Sequence, residues 1–168
     1  AFLAGVDMAA AAGVLKSFAG VEHRIEPVAV IDRVAYYNDS KATNPESAVK
    51  ALETFPDHII LIAGGYDKHT DLTEFMQLVK QRVDKLILVG DAAARFKEAA
   101  IENGFAAKDI LEAGYSMAEA VNTAKSQAAF PQVVLLSPAC ASYDMFDGYE
   151  ERGRVFKELV KQPGLSIL

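Results

Sequence analysis

The stretch HIILIAGGYDKHTDLTEFMQLVKQRVDKLILVGD, residues 58–91, decides the fold class of this chain. It contains two short apolar runs, HIILIAGG at 58–65 and KLILVGD at 85–91, separated by an amphipathic segment at 71–82. Short runs of Ile, Leu and Val that alternate with helices are typical of parallel strands buried on both faces of a sheet. The stretch therefore predicts a strand–helix–strand unit and, with it, an α/β fold.

The same alternation continues on both sides of this unit. Further apolar runs predict strands at EPVAVI (26–31), VAYYN (34–38), DILEA (109–113) and QVVLLSP (132–138). Amphipathic segments predict helices at Pro45–Phe55, Asp71–Arg82, Ala92–Asn103, Ser116–Ala129 and Gly148–Gln162. The first two strands lie on either side of Asp32–Arg33, which indicates a hairpin. We expect a mostly parallel sheet with helices on both faces.

Residues that favour helix ends stand at the boundaries of the predicted helices. Asn44 directly before Pro45, and Thr70 before the next helix, are residue types that cap helix N-termini. Gly104 stands where a helix would end in the left-handed conformation.

Bulk composition excludes several classes of protein. The chain has 168 residues, 51% of them hydrophobic, and a formal net charge of −6. A net negative charge argues against general affinity for nucleic acid or anionic membranes, and no apolar run reaches the roughly 18 residues of a membrane span. The single cysteine, Cys140, excludes an internal disulfide and fits a cytoplasmic protein.

The first residues, AFLAGVDMAAAAGVL at 1–15, are apolar and rich in alanine. No basic region precedes them, so they make a poor signal peptide, and we expect a helix there. We place a domain boundary near FAGVEHR, so that residues 1–20 belong to a preceding domain and residues 21–168 form one α/β domain. The chain is then a piece of a longer protein.

Polar segments follow several of the predicted strands. In open parallel sheets, ligands bind beyond the carboxyl ends of the strands. The segments that leave the strands there are NDSKATN (38–44), GGYDKHTD (64–71), GDAAA (90–94), AGYS (113–116) and SPACASYDMF (137–146). Segments 38–44, 64–71 and 137–146 are rich in hydroxyl groups, glycine and charge. We expect these three to gather at one edge, called the polar rim below, and to form the binding site.

Segment 38–44 has two interpretations. As a simple strand-to-helix connection, it uses Asn44 as a cap and Asp39 and Ser40 to satisfy local amides. As a binding segment, it places Lys41 beside a helix N-terminus, a combination that suits an anion, and it offers the Asp39 carboxylate to a sugar hydroxyl.

The remaining candidates are also open to two interpretations. Lys68 either binds a carboxylate or phosphate or is a solvated loop lysine, and its segment is neither a GxGxxG motif nor a P-loop. Arg24 either reaches a phosphate held by a neighbouring domain or pairs with Glu22 or Glu26. Cys140 has no histidine near it in sequence, so a buried thiol is favoured over a nucleophile.

Four motifs together resemble one family. GVEHRIE (20–26), NDSKATN (38–44), AGGYDK (63–68) and LLSPACASYDMFDGYEERG (135–153) occur in an order and spacing similar to those of the Mur ligases, above all the members that add D-glutamate. The resemblance covers nearly all of the chain. It implies a cytoplasmic step of peptidoglycan synthesis in which ATP phosphorylates the carboxylate of UDP-N-acetylmuramoyl-L-alanine. The amine of D-glutamate then attacks the acyl phosphate, and phosphate leaves as the amide forms.

The resemblance also implies a domain assignment and roles for individual residues. The chain matches the third, Rossmann-like domain of these ligases, preceded by the last helix of the central ATPase domain. Lys41 is expected near the transferring phosphate, as the catalytic residue. The implied D-glutamate contacts are Thr43, Lys68, Ser142 and Tyr149, and the implied nucleotide contacts are Arg24 (phosphate) and Asp39 (ribose).

The sequence departs from a complete ligase in one respect. It contains no G-x-x-G-K-[ST] motif, and the magnesium-binding residues and modified lysine of the family belong to the central domain. We expect ATP and Mg²⁺ to serve the full-length enzyme, with no metal ligands and no bound cofactor in this chain. Alone, the chain is expected to be inactive and to bind D-glutamate weakly.

The sequence leaves three other hypotheses about the function of the chain. A stand-alone Rossmann or flavodoxin-like nucleotide-binding domain would need a glycine fingerprint after its first strand, where NDSKATN stands instead. A non-catalytic interaction module would expose an apolar patch and have no convergent polar segments. A sister Mur ligase specific for L-lysine or diaminopimelate would need an acidic residue for the distal amine, whereas Lys41 and Lys68 suit an anionic side chain.

Overall fold

Strands and helices alternate along the chain as the hydrophobic pattern predicts. The computed structural model describes Gly5, residues 7–17 and residues 20–162. The strands are β1 (Glu26–Ile31), β2 (Val34–Asn38), β3 (Ile59–Gly64), β4 (Val83–Val89), β5 (Ile110–Glu112) and β6 (Val133–Leu136). The helices are α1 (Met8–Ser17), α2 (Pro45–Thr54), α3 (Thr73–Arg82), α4 (Ala93–Glu102), α5 (Met117–Gln127) and α6 (Tyr149–Lys161).

The six strands form one sheet in the order β1-β2-β6-β3-β4-β5. Strand β1 pairs with β2 in the antiparallel sense, and all the other pairs are parallel. Asp32 and Arg33 connect β1 to β2 with φ angles of 50° and 70°, the left-handed conformation that a type I′ hairpin turn requires at both central positions. The predictions of a mostly parallel sheet and of a hairpin are both confirmed.

Two hydrophobic cores cover the two faces of the sheet. Strand β3 is buried along its whole length, and its successive side chains enter opposite cores because side chains alternate across a strand. Ile59 and Leu61 belong to the core beneath α2, α3 and α4, whereas Ile60 and Ile62 belong to the core beneath α5 and α6. The helices therefore lie on both faces, as predicted.

The helix caps were predicted correctly at two of three positions. The Asn44 side chain accepts a hydrogen bond from the backbone N of Ser47 at 2.8 Å, and Gly104 has a φ of 82° after α4. The prediction that Thr70 caps α3 is wrong. Helix α3 begins at Thr73, and the side chain of Asp71 accepts bonds from the Thr73 amide and hydroxyl at 2.9 and 2.7 Å.

Helix α1 confirms that part of the apolar N-terminal stretch is helical. Met8 and Val14 on this helix are 59% and 65% exposed. The boundary predicted at residues 18–22 falls partly on residues 18–19, which lie outside the described residues, so the division at residue 20 stays a prediction. Among the described helices, none combines the length and apolar character needed to cross a bilayer.

Candidate functional site

The three segments of the polar rim adjoin one another because β6 lies between β2 and β3. The amide of Asp39 donates to the carbonyl oxygen of Leu136 at 2.8 Å, which joins segment 38–44 to the end of β6. The amide of Gly64 donates to Pro138 O at 2.8 Å, and the amide of Tyr66 donates to Ala141 O at 3.0 Å. Main-chain hydrogen bonds therefore hold the segments carrying Thr43, Lys68 and Ser142 side by side.

A buried arginine ties two of these segments to α6. Arg152 is 2% exposed; its Nε donates to Ser40 Oγ at 2.9 Å and its Nη2 to Ser40 O at 2.8 Å. Its Nη1 donates to Ala141 O at 3.1 Å. Within residues 20–162 no carboxylate lies within ion-pair distance of this guanidinium, and burial lowers its pKa to about 10. Arg152 thus supports the rim through hydrogen bonds to backbone and hydroxyl oxygens.

Sequence reasoning did not single out Arg152, although a signal was present. Arg152, Phe156 and Val160 are spaced four residues apart on α6, so they share one face of the helix. Phe156 and Val160 are fully buried. A charged residue in register with core positions is one that must find hydrogen-bond partners inside the protein.

Gly153, which follows Arg152 on α6, leaves room for the buried side chain of His23. A Cβ added to Gly153 would lie 2.2 Å from His23 Nδ1. His23 is 3% exposed, its Nδ1 accepts a bond from Asn38 Nδ2 at 2.9 Å, and burial lowers its pKa. His23 is therefore a packed, neutral residue behind segment 38–44.

Asp39 is buried at the base of the rim, with 6% exposure. Its Oδ2 accepts the Ser137 hydroxyl at 2.8 Å, and its Oδ1 accepts the amide of Ile25 at 3.2 Å. Burial raises its pKa to about 6, although both hydrogen bonds and the positive charge of Arg24 lower it. Arg24 itself is exposed and near Asp39. The structure thus brings the two predicted nucleotide contacts together, and their roles stay predictions.

Lys41 and Tyr149, which are 108 residues apart in the sequence, are in contact. Lys41 Nζ donates to Tyr149 Oη at 2.7 Å and lies 4.5 Å from the centroid of the ring. Thr43 lies two residues further on, directly before the Asn44 cap of α2, and its amide bonds to Lys41 O at 2.9 Å. Lys41 and Thr43 are both half-buried beside a helix N-terminus, the environment that favours an anion.

The two other predicted D-glutamate contacts differ in exposure. Lys68 is exposed, and among the described residues no side chain bonds to its ammonium group. Ser142 is 2% exposed, and its carbonyl oxygen accepts the amides of Met145 and Phe146 at 3.0 and 2.8 Å. Burial raises the pKa of the neighbouring Cys140 thiol to about 12. That thiol is therefore protonated at neutral pH, in line with the interpretation that it is not a nucleophile.

One cluster in residues 20–162 has the composition of a metal site. Glu22, His23 and Glu26 offer ligand atoms within 4.8 Å of one another. However, Lys157 Nζ lies 2.7 Å from a Glu22 oxygen and 3.0 Å from a Glu26 oxygen, and His23 Nδ1 is already bonded to Asn38. The ammonium group occupies the space between the two carboxylates and offsets part of their charge, so the cluster is an ion-pair network that does not fit Mg²⁺.

Sequence comparisons point to one family. Residues 23–140 match the family model described as Mur ligase, glutamate ligase domain. A Thermoanaerobacter sp. protein named UDP-N-acetylmuramoylalanine–D-glutamate ligase is 47% identical over 162 residues, which cover 96% of this chain and 36% of that protein. A protein of the same name from Symbiobacterium thermophilum is 50% identical over 160 residues, 95% of this chain and 35% of its own. The chain spans about a third of the length of these relatives.

Structural comparisons support the fold at low sequence identity. A Mycobacterium tuberculosis folylpolyglutamate synthase complexed with ADP and AMPPCP is similar with a TM-score of 0.63 and 15% identity, over 90% of this chain and 35% of that one. A MurF ligase from Thermotoga maritima in complex with ADP has a TM-score of 0.54 and 16% identity, over 86% and 33%.

One further solved structure holds a domain by itself. It comes from a putative UDP-N-acetylmuramate:L-alanyl-gamma-D-glutamyl-meso-diaminopimelate ligase of Haemophilus ducreyi, with a TM-score of 0.53 and 13% identity, and covers 81% of this chain and 99% of that one. The structural likenesses establish a shared α/β fold, and the family model covers most of the residues that build it. This chain therefore belongs to the Mur ligase family, with its glutamate ligase domain at residues 23–140.

Proposed function

We propose that the chain is the amino-acid-binding part of an ATP-dependent ligase that adds D-glutamate to UDP-N-acetylmuramoyl-L-alanine in peptidoglycan synthesis. The observation that carries the proposal is the identity of 47–50% to two relatives named for this reaction, over nearly the whole chain. The polar rim supports it, because cations and hydroxyl groups from three adjoining segments offer several donors to a ligand with two carboxylates.

D-Glutamate binding is assigned to residues of all three rim segments. Lys68 supplies an exposed ammonium group for one carboxylate, and Thr43 and Ser142 supply hydroxyl donors from the two other rim segments. Tyr149 is the first residue of α6, and a helix N-terminus favours a negative charge. Bound in this way, D-glutamate presents its amine for attack on the activated substrate.

The reaction itself is an acyl transfer through an acyl phosphate. ATP transfers its γ-phosphoryl group to the carboxylate of UDP-N-acetylmuramoyl-L-alanine. The amine of D-glutamate attacks the acyl carbon, loses a proton, and expels phosphate as the amide forms. Lys41 stabilises the negative charge of the transferring and departing phosphate, while Arg24 and Asp39 contact the phosphate and ribose of the nucleotide.

The proposal assigns the remaining functions to other parts of the protein. ATP binding by a P-loop, and Mg²⁺ binding, are assigned to residues outside this chain. The sequence contains no G-x-x-G-K-[ST] motif, and Lys157 already pairs with both carboxylates of the Glu22–His23–Glu26 cluster. Residues 1–20 belong to the preceding ATP-binding domain and residues 21–168 to the domain that brings the amino acid. Because ATP and UDP-linked precursors are cytoplasmic metabolites, the proposal places the enzyme in the cytoplasm.

Phosphate release by the full-length protein tests this function. The protein is incubated with ATP, Mg²⁺, UDP-N-acetylmuramoyl-L-alanine and one of four amino acids: D-glutamate, L-glutamate, L-lysine or meso-diaminopimelate. We expect release and a new amide product with D-glutamate only. Equal turnover of L-lysine or diaminopimelate would assign the chain to a different amino acid and overturn the proposal.

The 168-residue chain provides a second arm of the same test. It should release no phosphate, and D-glutamate at millimolar concentration should shift NMR signals of the rim residues Thr43, Lys68 and Ser142. Signals that shift with NAD or FMN, but not with D-glutamate, would favour a nucleotide-binding domain instead.

A further inference from the structure

We propose that Arg95, at the start of α4, is a positioning residue for D-glutamate binding, which it supports by holding the segment that carries Lys68. The inference rests on the proposed function, in which Lys68 binds a carboxylate of the amino acid. Arg95 lies outside the three rim segments.

The side chain of Arg95 forms hydrogen bonds to two residues of segment 64–71, Asp67 and Thr70. Its Nε lies 2.7 Å from Asp67 Oδ2 and its Nη2 lies 2.7 Å from Asp67 Oδ1, which makes a bidentate pair. Its Nη1 donates to the carbonyl oxygen of Thr70 at 3.0 Å. The side chain of Asp67 is 11% exposed and that of Arg95 is 30% exposed, so the pair is partly shielded from water. Bidentate geometry of this kind fixes direction as well as distance.

Asp67 also closes the segment around Lys68. Its Oδ1 accepts the backbone amide of His69 at 2.8 Å, and His69 adopts the left-handed conformation with a φ of 54°. Asp67, His69 and Thr70 are thus each held by a hydrogen bond from the same network. Lys68 lies between them, so its backbone is fixed while its side chain is exposed.

The helix that carries Arg95 is itself joined to the end of β3. The amide of Ala92, directly before α4, donates to Gly65 O at 2.9 Å, and the amide of Tyr66 bonds to Ala141 O in the neighbouring rim segment. Arg95 therefore connects Lys68 to a support that is fixed relative to Ser142. The hydrogen bonds that Asp67 accepts from Arg95 and from the His69 amide lower the pKa of its carboxyl, which keeps the carboxylate ionised.

Loss of this support has a predictable effect on binding. Without Arg95, residues 67–70 sample more conformations, and D-glutamate must order them when it binds. Ordering costs affinity without changing the chemistry that follows. The expected signature is a higher KM for D-glutamate with little change in kcat or in the KM for ATP.

The test uses the full-length ligase with the variants R95A, R95K, K68A and R95A/K68A. R95A should raise the KM for D-glutamate about three- to tenfold, the cost of ordering one or two side chains. R95K should restore only part of the affinity, since lysine cannot form the bidentate pair. In the K68A background, R95A should add nothing further, because a residue that acts through Lys68 has no effect once Lys68 is gone.

Arg82 provides a matched control. This arginine also donates to backbone carbonyls, those of Leu52, Glu53 and Phe55, but it lies where α3 leads into the start of β4, away from the rim. R82A should lower the melting temperature and leave the KM for D-glutamate unchanged.

The outcomes separate the two proposals. If the wild-type enzyme does not ligate D-glutamate, the proposed function fails and the role of Arg95 fails with it. If K68A raises the KM but R95A and R95K do not, the role of Arg95 alone is overturned. If the increases in the KM for D-glutamate caused by R95A and K68A were additive, the role of Arg95 would also be overturned, since Arg95 would then act independently of Lys68. R95K keeps the charge and serves as the decisive variant if R95A does not fold.

Discussion

The ammonium group of Lys41 lies 2.7 Å from the hydroxyl oxygen of Tyr149 and 4.5 Å from the centroid of the same ring. The tyrosine hydroxyl also lowers the pKa of the Glu150 carboxyl through a hydrogen bond. The Tyr149 hydroxyl accepts a hydrogen bond from the ammonium group of Lys41. This bond orients the lysine that the proposed reaction uses.

The first prediction removes that orientation and keeps the ring. In the full-length enzyme, Y149F should lower kcat about three- to tenfold. A hydrogen bond to a charged group contributes about 1.5–3 kcal/mol, and a half-exposed site such as this one takes the lower end of that range or less. The measurement is steady-state phosphate release. Tyr143→Phe is the control, since Tyr143 is 71% exposed, and a kcat for Y149F equal to that of Y143F would contradict the role of the hydroxyl.

The second prediction concerns Arg152. Replacement by methionine leaves Ser40 O without its buried donor and removes the bonds to Ser40 Oγ and to Ala141 O, although Ala141 O keeps the Tyr66 amide. A buried group that loses its partner destabilises a protein by about 1–3 kcal/mol. We expect R152M to lower the free energy of unfolding by about 2–4 kcal/mol, measured by urea denaturation. The exposed Arg154 on the same helix is the control, and R154M should change stability by less than about 0.5 kcal/mol. Equal stability of the two variants would show that the Arg152 bonds contribute nothing net.

The third prediction concerns the contact between α6 and His23. A methyl group on Gly153 would lie 2.2 Å from His23 Nδ1, so G153A should cost about 1–3 kcal/mol of unfolding free energy. In the double variant H23A/G153A, the second substitution should cost much less because the clash is absent. Gly13→Ala in α1, where a Cβ meets nothing within 4 Å, should be neutral or stabilising. A G153A variant as stable as the wild type would mean that His23 moves freely.

The fourth prediction is a pH dependence caused by Asp39. Its pKa is raised from 3.8 to about 6 in the folded protein, so between these values the folded state binds more protons than the unfolded state. The stability that protonated Asp39 contributes is complete below about pH 3.8 and is lost as the pH rises through 6. The corresponding free energy is about 2–3 kcal/mol.

Asp39→Asn isolates this contribution from other titrating groups. The amide oxygen can still accept the Ile25 amide, and the amide nitrogen can donate to the Ser137 hydroxyl, which rotates to accept. The unfolding free energy of the wild type should therefore fall relative to that of D39N between pH 4 and pH 7. Parallel pH profiles for the two proteins would show that Asp39 is ionised without penalty.

The secondary structure was predictable because its signals are local. Each signal spans only a few consecutive residues: runs of Val, Ile and Leu, the helical period of apolar residues, and the Asn44 cap. Each predicted strand and helix between residues 26 and 162 is present. The error at Thr70 is also local. Asp71, two residues before Thr73, accepts the bonds at the start of α3 in place of Thr70. The non-local feature here is the bond from Arg95 to the Thr70 carbonyl oxygen, 25 residues away.

The candidate site was predictable only in outline. The segments of the rim were found because polar residues follow the strands directly. The supports behind them, Arg152, Gly153 and Arg95, were missed because their partners lie far away in sequence, up to 112 residues for Arg152. Only the register of Arg152 with buried residues of α6 pointed to its role.

The sequence by itself determined which segments are strands and helices and which strand ends carry polar residues, since hydrophobic periodicity and turn chemistry act over a few residues. Only the tertiary structure decided that β6, the last of the six described strands, lies between β2 and β3. That order brings segments 38–44, 64–71 and 137–146 together and buries Asp39 and Arg152 behind them. It depends on hydrogen bonds between distant residues, such as Asp39 and Leu136, which no local pattern encodes.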